Sequence, residues 1–315
     1  MARDDRPDNS PPVTIFRRDE CGLREGGDSP DESQATTQVI YDASSDICHP
    51  GKLLKNMIAD VLSGRELAWR LFVRNLRGMY RQTLLGFFWA FLPPLVNTAF
   101  WVFFRRVAEI DSPTESVNPA VYILTGMIFW QAFIDAFQMP LAELNKNRNM
   151  ISKLNFPRES LLMVGLGEVI FNLAIRLLLL IPAFLYFSVP VHASLLLVPV
   201  VALALILLGA GLGLLLLPAG SLYQDVGRFV SMAIPFWMIL TPVVYPPLSG
   251  FPGTILNWLN PASPLIIVAR DWTLQGTTSF GTLGWLFGLG SLPLFLAGWI
   301  LFRISMPVLI ERMNA

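Results

Sequence analysis

The sequence predicts an all-α integral membrane protein: six transmembrane helices, an N-terminal amphipathic interface helix and short re-entrant helices before the last span. Three observations lead there. Hydrophobic residues make up 53% of the 315-residue chain and charged residues only 15%, against about 25% in an average soluble domain. The charges also leave long intervals free, at 82–104, 116–134, 177–224, 229–269 and 272–302. About 20 helical residues cross the hydrocarbon core, and one charge at its centre costs at least ~2.5 kcal/mol, so such intervals mark spans. Finally, the formal net charge of zero is a cancellation. Residues 1–50 carry 5 basic and 11 acidic groups out of 23 of each, which leaves the remainder basic.

Residues 1–50 read as a disordered acidic cytoplasmic tail, rich in Pro, Gly, Ser and Asp and without apolar periodicity. It lacks the basic, apolar and small-residue succession of a secretory signal, so the chain is expected to begin in the cytoplasm. Cys21 and Cys48 lie in this tail without metal-ligand spacing, and free thiols with no metal site are expected. Residues 51–82 read as amphipathic interface helices. Leu53, Leu54, Met57, Ile58, Val61 and Leu62 recur at helical spacing, and Arg70, Arg74, Arg77 and Arg81 share one face.

A transmembrane domain is expected over 83–303, with spans near 84–104, 118–140, 160–186, 194–217, 229–246 and 281–302, and a cytoplasmic C-terminus at 304–315. The third span must tolerate Glu168 and Arg176. The interval 177–224 is split around His192 and holds the end of one helix and the whole of another. The interval 229–269 is too long for one helix and contains Pro235, Pro242, Pro246, Pro247, Pro252, Pro261 and Pro264. It reads as one span followed by broken, partly re-entrant segments, because irregular backbone at membrane depth must be buried in protein or face a water-filled cavity.

Six spans put both termini on one side. Arg65, Arg70, Arg74, Arg77 and Arg81 precede the first span, and Lys146, Arg148, Lys153 and Arg158 follow the second. The first external loop offsets Arg105 and Arg106 with Glu109, Asp111 and Glu115, so cytoplasmic termini in a multi-pass bacterial inner-membrane protein are favoured.

The arginine face of the interface helix serves either as positive-inside anchoring among membrane lipids or as a contact for a substrate phosphate, which the guanidinium fork suits. In the third span Glu168, Asn172 and Arg176 stand at i, i+4 and i+8, on a slowly drifting face. Two readings are open: neutralisation of Glu168 by Arg176 or a neighbouring subunit, or a channel-facing polar track. Asp135, taken as near the end of its span, is expected to snorkel to water.

Five ordered stretches carry a resemblance. They are Arg65-Glu66-Leu67 with Arg74 to Trp89 (RNLRGMYRQTLLGFFW) and Pro93, Tyr122 to Trp130 (YILTGMIFW), Asn149 to Arg158 (NMISKLNFPR), Leu222 to Val226 (LYQDV), and Thr241 to Tyr245 (TPVVY) with Leu259-Asn260-Pro261 and Arg270. Together they resemble ABC-2 type permeases that export polysaccharides and polyol phosphates, over about residues 60–310. Gln224 departs from the family's usual Arg in the fourth stretch. The resemblance implies a homodimer of six-helix subunits, driven by two copies of a separate ABC ATP-binding subunit, that moves a lipid-linked glycan such as O-antigen, capsule or a teichoic-acid-like polymer outward. Neither an enzymatic activity nor nucleic-acid binding is implied. No cofactor is expected on this chain, ATP and magnesium belonging to the partner. The sequence agrees, since its one Gly-Lys pair, Gly51-Lys52, is followed by Leu53 and lacks the upstream glycine of a phosphate-binding loop.

The resemblance makes the loop Leu141–Arg158 the element coupled to the ATPase, with Asn149, Ile151, Ser152, Lys153, Phe156, Pro157 and Arg158 at its centre. Tyr223, Asp225, Tyr245, Asn260, Pro261 and Arg270 join Glu168, Asn172 and Arg176 as channel or gate residues. The Pro-rich stretch 242–264 is the expected external gate, and Trp101, Phe129 and Tyr245 are the aromatic residues expected along a glycan path. Two other readings stand beside this one: an ABC-2 exporter of a small drug or lipid, and a membrane-embedded glycosyl- or phosphotransferase. The latter would need catalytic carboxylates or histidines at the membrane surface, and outside the tail the only histidine is His192.

Overall fold

The computed structural model of the chain describes residues 50–81, 88–107, 117–151, 158–247 and 253–314. The acidic tail, and Ser152, Lys153, Phe156 and Pro157 of the coupling loop, lie outside the described residues. Among the described residues the regular structure is helical throughout. The α-helices are α1 (Pro50–Arg81), α2 (Phe88–Val107), α3 (Pro119–Lys146), α4 (Arg148–Ile151), α5 (Glu159–Leu177), α6 (Leu180–Phe187), α7 (Val198–Leu222), α8 (Gln224–Leu240), α9 (Gly253–Leu259), α10 (Ala262–Leu274) and α11 (Gly281–Asn314), with a 3₁₀ turn at Ala193–Leu197.

Among the described residues, four helical stretches are long and apolar enough to cross a membrane: Pro119–Lys146, Glu159–Phe187, Ala193–Leu222 and Gly281–Leu309. They overlap the second, third, fourth and sixth expected spans, but α3 runs on to Lys146, so Leu141–Lys146 of the expected loop Leu141–Arg158 is helix, and α11 runs on through 304–314. Helix α2 covers most of the first. Helix α8, 17 residues long, departs from the fifth: it starts at Gln224 and stops at Leu240, so residues 241–246 are irregular backbone instead of the end of a span. Thr241 precedes Pro242, whose ring disfavours a helical conformation at the residue before it.

Helix α3 is the hub. Asn118 caps it, its side chain accepting from the Ala120 amide at 2.9 Å, and Pro119 opens the first turn, where a missing N–H costs nothing. All residues from Val121 to Trp130 are buried. Helices α2, α5, α7 and α10 pack on α3, and α11 packs on the far side of α7. Glycines permit the close approach of α7 to both neighbours. A Cβ at Gly209 would stand 2.6 Å from the Phe133 carbonyl oxygen, and one at Gly211 would stand 2.9 Å from the Phe295 amide, the small-residue packing that membrane helices use.

The third expected span is broken between α5 and α6. Pro182, in the first turn of α6, cannot donate back to the preceding turn. Helix α1 is one continuous helix, and its buried face meets the expected apolar pattern only in part. Met57, Gly64, Ala68 and Leu71 are buried, whereas Ile58 and Leu62 are 50% and 59% exposed, and the helix packs along α5.

Candidate functional site

Two polar assemblies lie at opposite ends of α3, which is 28 residues long, or ~42 Å at 1.5 Å per residue. The first joins the C-terminal end of α3 to α5 and α1. Lys146 Nζ lies 3.1 Å from Glu143 Oε1 and 3.1 Å from Glu168 Oε1, so one ammonium neutralises carboxylates from α3 and α5. Asn75 of α1 donates to Glu168 Oε1 at 2.8 Å. Asn147 Nδ2 donates to the Glu143 carbonyl and to Glu143 Oε2, both at 3.0 Å. Beyond residues 147–158, Arg303 Nη1 of α11 donates to Glu159 Oε1 at 2.7 Å and to Asp60 Oδ2 of α1 at 2.8 Å. Asp60 and Asn75 are about 22 Å apart along α1. The end of α3 and the two α5 carboxylates, Glu159 and Glu168, are thereby tied to two points on α1.

Arg70, Arg74 and Arg77 lie exposed on α1. With Trp69, Val73 and Gly78 they line an open groove of about 570 Å³. Arg70 is held by Glu66 at 2.6 Å, and Arg74 donates to Asn75 Oδ1 at 3.2 Å. The side chain of Arg81 lies outside the described residues, as does that of Asn149 in the single turn α4. Ile151 is buried and Arg158 half-buried at the start of α5. A groove over a basic helical face can take a phosphorylated headgroup.

The third-span residues correct an expectation. Arg176 Nη1 donates to Asp135 Oδ2 of α3 at 2.5 Å, and Glu168 pairs with Lys146, so the two do not neutralise each other. Eight residues of helix separate Glu168 from Arg176 by ~12 Å, too far for contact. Asp135 does not snorkel: Arg176 and Gln131, the latter donating at 2.9 Å, satisfy it inside the bundle. Asn172 is half-buried.

At the other end of α3, the irregular stretch Thr241–Tyr245 is held by side chains from other elements. Arg270 of α10, 1% exposed, donates from Nη1 to the carbonyl of Pro242 at 2.9 Å and, more weakly, to that of Val243 at 3.5 Å. Its guanidinium carbon stands 3.9 Å from the centroid of the Tyr122 ring, a cation–π contact. Arg105 Nη1 donates to the Val244 carbonyl at 3.5 Å, and the Tyr122 hydroxyl to the Tyr245 carbonyl at 3.4 Å. Asn260 Nδ2 donates to Thr241 Oγ1 at 2.7 Å, while its Oδ1 accepts from Trp237 Nε1 at 3.1 Å and from the Ala262 amide at 3.2 Å. Pro261 caps α10, and the Tyr245 hydroxyl donates to the Ile239 carbonyl at 2.7 Å. The second and fifth sequence stretches, far apart in the chain, meet here.

Other expected residues stay apart from this assembly. Tyr223 and Asp225 are exposed at the α7–α8 junction, Asp225 pairing with Arg228 at 3.4 Å. Phe129 is fully buried and cannot line a path. Trp101 packs half-buried against Phe100 and Phe104. Sequence reasoning missed Asn75, Asp60, Glu143, Glu159, Tyr122, Arg105 and Arg303 as partners. The signal for Arg105 and Arg303 was present, because each bounds an apolar interval and such a residue is either at the interface or paired, whereas Asp60, Glu143 and Glu159 bound none of the intervals.

Comparison with known proteins places these features. A family model described as ABC-2 type transporter matches residues 66–271. A relative named O-antigen export system permease protein RfbA from Klebsiella pneumoniae is 25% identical over 226 residues, covering 69% of this chain and 83% of the relative. A protein of the same name from Myxococcus xanthus is 26% identical over 195 residues, covering 60% of this chain and 72% of the relative.

Proposed function

The chain belongs to the ABC-2 type transporter family, and we propose that it is the permease subunit of an ATP-driven exporter that moves a lipid-linked polysaccharide across the bacterial cytoplasmic membrane. The observation that carries this reading is the double tie to α1 of the helix ends that flank residues 147–158: Lys146 through Glu168 and Asn75, and Glu159 through Arg303 and Asp60. A partner ATPase that displaced this segment would move α5 directly through Glu159. It would move the interface helix at the same time, through Asp60 and Asn75. An exporter needs that geometry, since nucleotide-driven motion has to reach both the bundle and the membrane surface where a lipid-linked substrate waits.

The polysaccharide cargo is supported by the relatives, which are named as O-antigen export permeases, and by the arginine-lined groove on α1, suited to a phosphate at the membrane surface. The full reading has six spans, with α2 and α8 completing the four apolar ones, α9 and α10 as the re-entrant pair, and both termini cytoplasmic. Two copies of the chain assemble with two ATP-binding subunits, which hold the ATP and magnesium.

Deleting the gene is expected to strip polysaccharide from the cell surface and to accumulate lipid-linked glycan inside. Intact surface polysaccharide with no internal accumulation would refute the cargo assignment.

A further inference from the structure

Helix α8 and the stretch that follows it have opposite environments. No residue of α8 is fully buried, and Phe229, Met232 and Phe236 are 70%, 70% and 67% exposed. Immediately afterwards Thr241 and Val243 are 0% exposed and Val244 6%. The change falls within one residue, from Leu240 at 50% to Thr241. Such a boundary joins an element with few fixed contacts to one with many.

The fixed side is held by its carbonyls. Residues 242–245 continue no helix, so their carbonyls have no partner in a regular ladder, and at membrane depth an unsatisfied carbonyl is costly. Each of the four is taken by a side chain from elsewhere: Arg270 for Pro242 and Val243, Arg105 for Val244, Tyr122 for Tyr245. The backbone also sits against α3 with no room to spare, since a Cβ on Gly126 would stand 2.5 Å from the Val243 carbonyl oxygen. One turn earlier, Trp237 is wedged among Trp130, Phe133 and Phe137, at ring distances of 6.0, 5.1 and 5.6 Å.

The free side has space to move into. Between the N-terminal half of α8 and helices α3 and α7 lies a cavity of about 320 Å³, bordered by Gln138, Leu141, Gly220, Val226, Gly227 and Val230. An arm held at Trp237–Thr241, joined to α7 through Tyr223 and hollow beneath its N-terminal half, can swing about its held end.

We propose that Arg270 is a positioning residue that makes residues 241–245 a fixed fulcrum, about which α8 swings toward α3 during the export cycle. The fulcrum replaces the pivoting pieces that the prolines of 242–264 suggest. Arg270 suits the role because its Nη1 donates to two consecutive carbonyls while the guanidinium plane lies on the Tyr122 ring. A lysine would carry the charge and could donate, but has no planar group to stack on that ring.

The proposal rests on the transport reading, and its test separates the two. In the full chain assembled with its ATPase, with Cys21 and Cys48 replaced by serine, spin labels are placed at Leu196→Cys with Phe229→Cys, and at Leu196→Cys with Pro247→Cys. ATP binding is expected to shift the first pair by about 5 Å, a helical turn, and to leave the second unchanged. Equal shifts in both pairs, or none in either, would overturn the fulcrum whatever the cargo. Arg270→Met is expected to broaden the 196–247 distance distribution and lower export about tenfold, while ATP hydrolysis stays within about twofold. Arg270→Lys should recover a narrow distribution and part of the export. Normal export and a narrow distribution in Arg270→Met would overturn the proposal, and so would parallel loss of export and hydrolysis in both variants. If Arg270→Met does not assemble, the Arg270→Lys measurement decides by the same criteria. An unmoved 196–247 pair in a wild-type complex that exports no glycan would leave the fulcrum standing and the cargo refuted.

Discussion

Arg176 of α5 and Asp135 of α3 form an ion pair inside the helical bundle, 41 residues apart in sequence and with side chains 9% and 20% exposed. A buried pair is strongly destabilising to break on one side, because the remaining charge is left without compensation, whereas replacing both partners by apolar residues of similar size is often neutral. Asp135→Ala is therefore expected to lower stability by about 3–5 kcal/mol. The double variant Asp135→Leu with Arg176→Met should recover most of that loss. Thermal unfolding of the purified protein in detergent checks both, and a double variant as unstable as the single one would contradict the pairing.

Arg303 makes a second prediction. It holds Asp60 and Glu159 through one Nη1, so Arg303→Ala leaves two carboxylates facing each other between α1 and α5. The interface helix should then detach locally, which protease cleavage or thiol labelling within α1 would report. Export should fall further than ATP hydrolysis, and Arg303→Lys should preserve much of both because the charge remains. Unchanged protection of α1 in Arg303→Ala would contradict the tie.

The arginine groove on α1 predicts a salt-dependent effect on substrate capture. Removing Arg74 and Arg77 should weaken capture of a phosphorylated glycolipid by about fivefold per arginine at low salt, on the scale of one basic residue near an anionic surface. At high salt the difference from wild type should shrink, because exposed charges are screened over about 10 Å or less. The check is the substrate concentration at half-maximal export at two ionic strengths. A maximal rate that falls at unchanged half-saturation would place these residues outside substrate capture.

Much of this architecture is legible in the sequence, because membrane solvation writes itself into charge spacing. The intervals free of charge locate the four long apolar helices, whereas the periodicity over 53–62 locates the buried face of α1 only in part, since Met57 is buried but Ile58 and Leu62 are exposed. The misreadings share a physical cause. Glu168 and Arg176 lie on one helix face, which suggested a pair, but contact depends on rise along the axis and on what neighbouring helices bring. Lys146 and Asp135 belong to α3, and no local pattern in α5 points to them. The end of α8 was placed too late because the residues after Leu240 remain apolar. Their burial comes from Arg270, Arg105 and Tyr122, three side chains contributed by three other helices. The five motif stretches were recognisable one at a time, whereas the meeting of Tyr122 and Gly126 with Thr241–Tyr245, Asn260 and Arg270 required the fold.

The proposed coupling runs from a partner's ATP hydrolysis, through residues 147–158, to outward movement of a lipid-linked glycan. The most direct measurement places the purified permease and its ATP-binding subunit in liposomes containing a lipid-linked oligosaccharide. Appearance of the glycan on the far leaflet is read with a membrane-impermeant glycosidase. The account predicts ATP-dependent appearance that is lost when Lys153, Phe156 and Arg158 are replaced by alanine, together with loss of ATPase co-purification. Glycan movement that does not depend on ATP, or that survives those three substitutions with the ATPase still bound, would contradict it.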